Sequence, residues 1–149
     1  MKIAVLSDIH GNYYAFKACL EVAFERNIDT FIFLGDYLGE FAYPKRTIEL
    51  LYELKEKYNC YFIRGNKEDY WLNMQQGVNC EWKDGNNSIY AMLYNYSNLS
   101  KEDLDFFSQM KICDCLKIDN LPSITYCHGS LRDNKEKLMI LNASLLLEG

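Results

Sequence analysis

Basic runs, long apolar runs and paired cysteine motifs are all missing from this 149-residue chain. Lysine and arginine number 16 against 21 aspartates and glutamates, a formal net charge of −5, and the basic residues form no block. General nucleic-acid binding, or attachment to an anionic membrane through bulk charge, is therefore not expected. No uncharged apolar stretch approaches the ~18 residues that suggest a membrane span. The N-terminal MKIAVLSDIHG passes directly into a strand pattern rather than a secretory leader. Cys19, Cys60, Cys80, Cys113, Cys115 and Cys127 lack C-x-x-C spacing, which argues against a zinc site and for reduced thiols in the core of a cytoplasmic protein. Internal repeats and low-complexity segments are absent as well. So is a G-x-G-x-x-G after the first strand, which sets aside a Rossmann-like nucleotide binder.

What remains has the proportions of one globular domain, 49% hydrophobic and 25% charged. At about 150 residues such a domain buries roughly 68–70% of its unfolded surface, enough for a core without staples. Lys2–Leu6, Thr30–Leu34 and Cys60–Ile63 read as strands, and Asn12–Arg26 and Pro44–Tyr58 as the helices between them. Alternating strands and helices imply a parallel sheet with right-handed crossovers. From Asn66 to about Asn98 two helical stretches flank a Gly- and Asn-rich segment, Gly77–Asn87, and read as a helical insertion over the sheet. Ser100 with Asp103 opens a helix over Lys101–Met110. Ile112–Ile118 and Ser123–Cys127 form an antiparallel pair around the turn Asp119–Pro122, and helical propensity resumes from Asp133.

In a parallel sheet, ligands gather where strands end and loops begin. Those places hold Asp8, His10 and Asn12, then Gly35-Asp36, then Gly65-Asn66-Lys67-Glu68, then His128-Gly129. Each residue alone has an ordinary reading as a cap, a turn former or a solvated loop residue. Together they do not, because turn chemistry gives no reason for metal-ligand types at the end of every strand, including both histidines of the chain.

These motifs, D-x-H-G-N, G-D, G-N-x-E and an isolated histidine, resemble in order and spacing the calcineurin-like metallophosphoesterases, most of all their compact bacterial type. The resemblance covers residues 1 to about 130 and implies an α/β sandwich of two β-sheets flanked by helices, C-terminally shortened, as one domain over 1–149. It also implies two divalent ions, Mn first and Fe or Zn after it, about 3.5–4 Å apart, and mixed carboxylate, amide and imidazole ligands suit such ions better than Ca. By that resemblance Asp36 bridges, Asp8 and His10 complete the first site, and Asn66 and His128 hold the second. The implied reaction is hydrolysis of a phosphate mono- or diester by a metal-bridging hydroxide, with His10, Asp36, Asn66 and Lys67 as its catalytic residues. The implied partner is a small phosphate ester or nucleotide.

Two departures stand out. Lys67 occupies the place of the family's histidine and, with a reference pKa near 10.4, suits charge stabilisation better than proton donation. Esters with basic alcohol leaving groups should therefore turn over more slowly than activated aryl esters. The family's final G-H-x-H is absent from this sequence, which leaves Asp8, His10 and Asp36 for one ion and Asp36, Asn66 and His128 for the other. A catalytically weak or inactive remnant serving as a binding or structural module is the alternative reading. The apolar segment Leu138–Leu147 either packs against the domain or supports self-association. Tyr70, Trp71, Trp82, Tyr90, Tyr94 and Tyr96 either cap the site against a base or aryl group or pack in the core.

Overall fold

The computed structural model describes residues 1–78, 87–118 and 122–136. Three four-residue strands, β1 (Ile3–Leu6), β2 (Thr30–Phe33) and β3 (Asn59–Phe62), form a parallel sheet in the order β1-β2-β3. Their register is unstaggered: Ile3 faces Thr30, which faces Asn59, and Leu6 faces Phe33, which faces Phe62. All three strands therefore end at one level, and the loops that follow them emerge side by side.

Helix α1 (Tyr13–Glu25) starts where the Asn12 side chain accepts the backbone N–H of Ala15, and it buries Phe16, Leu20 and Ala23, a single face at helical spacing. Helix α2 (Pro44–Lys57) opens on Pro44, whose missing N–H costs nothing in a first turn, and buries Thr47, Ile48, Leu51 and Leu54. Helices α3 (Asn66–Gln75), α4 (Asn87–Ser97) and α5 (Lys101–Gln109) follow β3. In α5 the expected cap forms: Ser100 Oγ accepts from Asp103 N at 3.1 Å, and the Asp103 carboxylate accepts from Ser100 N at 2.8 Å. Strands β4 (Cys113–Leu116) and β5 (Ile124–Cys127) pair antiparallel, as their alternation predicts.

Alternation along β2 divides the core in two. Phe31 and Phe33 point toward the helices, where Phe33 stacks on Phe62 at 5.0 Å and meets Phe16 edge-on at 6.0 Å. Ile32 points the other way and packs with Ile63, Leu116 and Tyr126, which attaches the β4–β5 sheet to the opposite face. The result is the expected α/β arrangement of two sheets with helices outside.

The cysteines depart from expectation. Cys19 and Cys115 are exposed, and Cys60, Cys113 and Cys127 are half-buried free thiols, of which Cys60 packs against the helix-side core. Trp71 is fully buried and stacks on Tyr96, whereas Tyr90 and Tyr94 are exposed on α4. Cys80, Trp82, residues 119–121 and the segment Leu138–Leu147 lie outside the described residues. Among the described residues no helix is long and apolar enough to cross a membrane.

Candidate metal centre

The loops after β1 and β2 are joined by main-chain hydrogen bonds: Asp8 N to Gly35 O, His10 N to Asp36 O, Gly11 N to Tyr37 O and Phe41 N to His10 O, at 2.8–3.2 Å. Along these loops Asp8, His10 and Asp36 adopt left-handed backbone, with φ of 55°, 53° and 54°. For residues with a Cβ that conformation costs roughly 1–2 kcal/mol each, and such strain collects where side chains must be aimed. Two glycines make the approach of β2 and β3 ends feasible. A Cβ on Gly35 would stand 2.2 Å from Gly65 N, and one on Gly65 would stand 2.2 Å from Asp36 Oδ1. The G-D and G-N dipeptides are thus a contact between two strand ends, beyond simple turn chemistry.

Asp36, almost wholly buried, lies at the centre. Its Oδ2 is 3.8 Å from His10 Nε2, which is itself 3.4 Å from Asp8 Oδ1. Its Oδ1 is 3.6 Å from His128 Nε2, which lies 3.2 Å from Asn66 Oδ1. Asp8, His10 and Asp36 each place one donor atom within 4.8 Å of the others, a spacing that one cation can span. Burial raises the Asp36 carboxyl above the usual range, against the Lys67 backbone hydrogen bond and the two nearby histidines, which lower it. His128 Nδ1 is 2.7 Å from the Leu34 carbonyl oxygen. A carbonyl only accepts, so Nδ1 carries the proton and Nε2 offers its lone pair toward Asp36 and Asn66. Acceptor atoms therefore converge on Asp36 from both sides, the arrangement that a divalent cation satisfies. These groups line an open cleft of about 810 Å³, with Lys67 and Tyr70 on its wall.

All five residues expected to hold metal are brought together here, with Asn66 and Lys67 at the start of α3. Lys67 donates its backbone N–H to Asp36 Oδ1 at 2.9 Å, and its ammonium is engaged elsewhere, 2.8 Å from Glu40 Oε1. Of the aromatic residues considered as a cap, Tyr70 lines this cleft, with the Lys135 ammonium 5.3 Å from its ring centre.

Three further residues support this centre: Glu68, which the G-N-x-E motif contains but to which no role was assigned, and Asn95 and Glu40, which escaped the motif reading. Glu68 is fully buried and accepts the N–H groups of Asp36, Tyr37 and Gly65 at 2.8–3.0 Å. It ties both glycine turns to α3, and burial together with the charge of Asp36 pushes its carboxyl up to about 8. Asn95, buried on α4, donates to the carbonyls of Gly39 and Phe41 at 2.8 and 3.1 Å. Between those carbonyls sits Glu40, whose carboxyl is raised by burial but held below its ordinary value overall by the Lys67 hydrogen bond and the charges of His10 and Lys67. A polar residue on the buried face of a helix, three positions after Met92, was the available signal for Asn95. For Glu40 the sequence offers none, since its partners are 27 and 30 residues away.

Comparison with known proteins agrees with this geometry. An uncharacterized protein of Methanocaldococcus jannaschii is 32% identical over 110 residues, 74% of this chain and 42% of that protein. A PP2A-like serine/threonine-protein phosphatase of Candida albicans is 33% identical over 81 residues, 53% of this chain and 20% of the phosphatase. The crystal structure of a hypothetical protein from Pyrococcus horikoshii superposes with a TM-score of 0.76 at 26% identity, over 92% of this chain and 58% of that one. The chain thus spans about half the length, or less, of these relatives. The family pattern of calcineurin-like phosphoesterases matches residues 1–146, nearly the whole sequence, and the chain belongs to that family.

Proposed function

We propose that the protein is a metal-dependent hydrolase of phosphate mono- or diesters, working with two divalent ions held on either side of Asp36. One observation carries this reading: the buried Asp36 carboxylate presents Oδ2 toward His10 and Oδ1 toward His128, with acceptor atoms on both flanks. Asp8, His10 and Asp36 would hold one ion, and Asp36, Asn66 and His128 the other, with Mn favoured over Fe or Zn. Such ions would neutralise the phosphate and bring water to ionise near neutral pH. The chain's own residues orient: the glycine contact sets Asp36 between the halves, and Asn66 and His128 enter from two different elements. Lys67 offers positive charge at the cleft wall, and its strong pairing with Glu40 makes it an electrostatic group rather than a proton donor.

The test is Mn-dependent hydrolysis of p-nitrophenyl phosphate and bis(p-nitrophenyl) phosphate, with Asp36→Asn as control. We expect the control to lose at least about 1,000-fold, equivalent to about 4 kcal/mol of barrier. Equal rates in the two proteins would exclude the reading. The second reading, a catalytically weak or inactive binding module, is favoured by the three protein ligands available to each half. Fewer than one tightly held ion per chain in a calorimetric titration would support it.

A further inference from the structure

The two histidines of the centre are oriented by different means. His128 rests on a main-chain acceptor, the carbonyl of Leu34. His10 has no such acceptor. Its Nδ1 is buried against Gly39, where even a Cβ would stand 2.3 Å away, and it makes no aligned hydrogen bond among the described residues. The group within reach is the Glu40 carboxylate, whose Oε2 lies 2.8 Å from Nδ1 in ion-pair contact.

We propose that Glu40 is the positioning residue for His10: its carboxylate serves as acceptor for the Nδ1–H, which keeps the proton on Nδ1 and so turns the Nε2 lone pair toward Asp8 and Asp36. A buried N–H without an acceptor costs about 1–3 kcal/mol, so the imidazole is driven to the tautomer that Glu40 can satisfy. The carboxylate is itself held from two sides. Asn95 grips the carbonyls of Gly39 and Phe41, which fixes the main chain on either side of Glu40. The Lys67 ammonium, 2.8 Å from Oε1, holds the other carboxylate oxygen. Glu40 is not placed as a metal ligand, because it meets the nitrogen of His10 on the far side of the ring from Asp8 and Asp36. Its place is behind the ligand, where a carboxylate raises the basicity and fixes the direction of a metal-binding imidazole. The inference rests on the reading of His10 as a ligand only for its consequence in metal affinity, and the tautomer can be observed without metal.

Two histidines in the whole chain make the experiment direct. Imidazole ¹⁵N–¹H correlation spectra of the metal-free protein would be recorded for the parent, Glu40→Ala and Glu40→Gln, with His128→Gln to assign the two rings. The parent should show His10 protonated at Nδ1. Glu40→Ala should shift His10 to a mixture of tautomers while the His128 signals stay in place, and Glu40→Gln, which retains an acceptor oxygen, should restore the parent form. In Mn titrations by calorimetry, Glu40→Ala should bind about 10–100-fold more weakly at one ion per chain, with Glu40→Gln much closer to the parent. A His10 tautomer unchanged in Glu40→Ala overturns the proposal. Failure of the parent to bind Mn would instead overturn the two-ion reading, and the tautomer spectra would still decide the role of Glu40.

Discussion

The half of the centre that contains His10 and the half that contains His128 are built at different distances along the chain. Asp8 and His10 sit two residues apart on one loop, which is joined by successive main-chain hydrogen bonds to the loop of Asp36. Asn66 and His128 are separated by 62 residues and meet only because the β4–β5 sheet packs Leu116 and Tyr126 against Ile32 and Ile63. Orientation runs the opposite way: the distant histidine is set by a backbone carbonyl that no substitution removes, the local one by a side chain that a single substitution deletes. Long-range assembly here ends in a robust contact, and local assembly ends in a fragile one.

The largest expected effect is one that erases this contrast. Glu68 accepts three backbone N–H groups that shape both glycine turns. Glu68→Ala leaves them buried without partners, at about 1–3 kcal/mol for each group. We expect at least ~3 kcal/mol of lost stability in urea unfolding, together with loss of Mn binding in both halves. A variant of parental stability would show that water replaces the carboxylate easily and that the two turns are independent.

Gly39→Ala sharpens the contrast instead. The new methyl group would collide with His10 Nδ1 and push the ring aside, with nothing comparable near His128. Calorimetry should show one Mn per chain retained and the other weakened up to ~100-fold, or about 2.7 kcal/mol. Equal weakening of both sites would mean that the halves respond as one unit.

A third effect concerns pH in the metal-free protein. Glu68 has an ordinary value of 4.5 and is pushed up to about 8 in the folded chain. Between these values the native state holds a proton that the unfolded state has released, so stability falls as pH rises, by up to about 1.4 kcal/mol per unit. The raised Asp36 carboxyl acts in the same direction. Urea midpoints in chelator should therefore drop from pH 5.5 to pH 8.5. A flat profile would show that the three N–H donors keep Glu68 ionised throughout, and the Glu68→Gln variant would then be the more damaging change.

Much of this centre was legible in the residues. The strand-end positions of Asp8, His10, Asp36, Asn66 and His128 follow from hydrophobic runs punctuated by glycine, and the structure brings those five together. Strand and helix bounds came within a residue or two wherever apolar periodicity was strong, as in α1 and α2. The supporting residues were harder to read, because Glu40 is a half-exposed carboxylate in a loop and Asn95 a single polar residue on a helix. Their roles depend on partners brought close only by packing. Exposure of Cys19 and Cys115 was missed for a related reason: an apolar run does not reveal which of its positions faces the core.

By itself, then, the sequence determined the alternation of strands and helices and the chemical types waiting at the strand ends, since both depend on short-range periodicity and local turn preference. Tertiary structure decided which oxygen of Asp36 faces which histidine, which imidazole nitrogen is free, and that Glu40 joins His10 to Lys67. Those are matters of a few tenths of an ångström between residues far apart in the chain, and only close packing of two sheets and their helices sets distances on that scale.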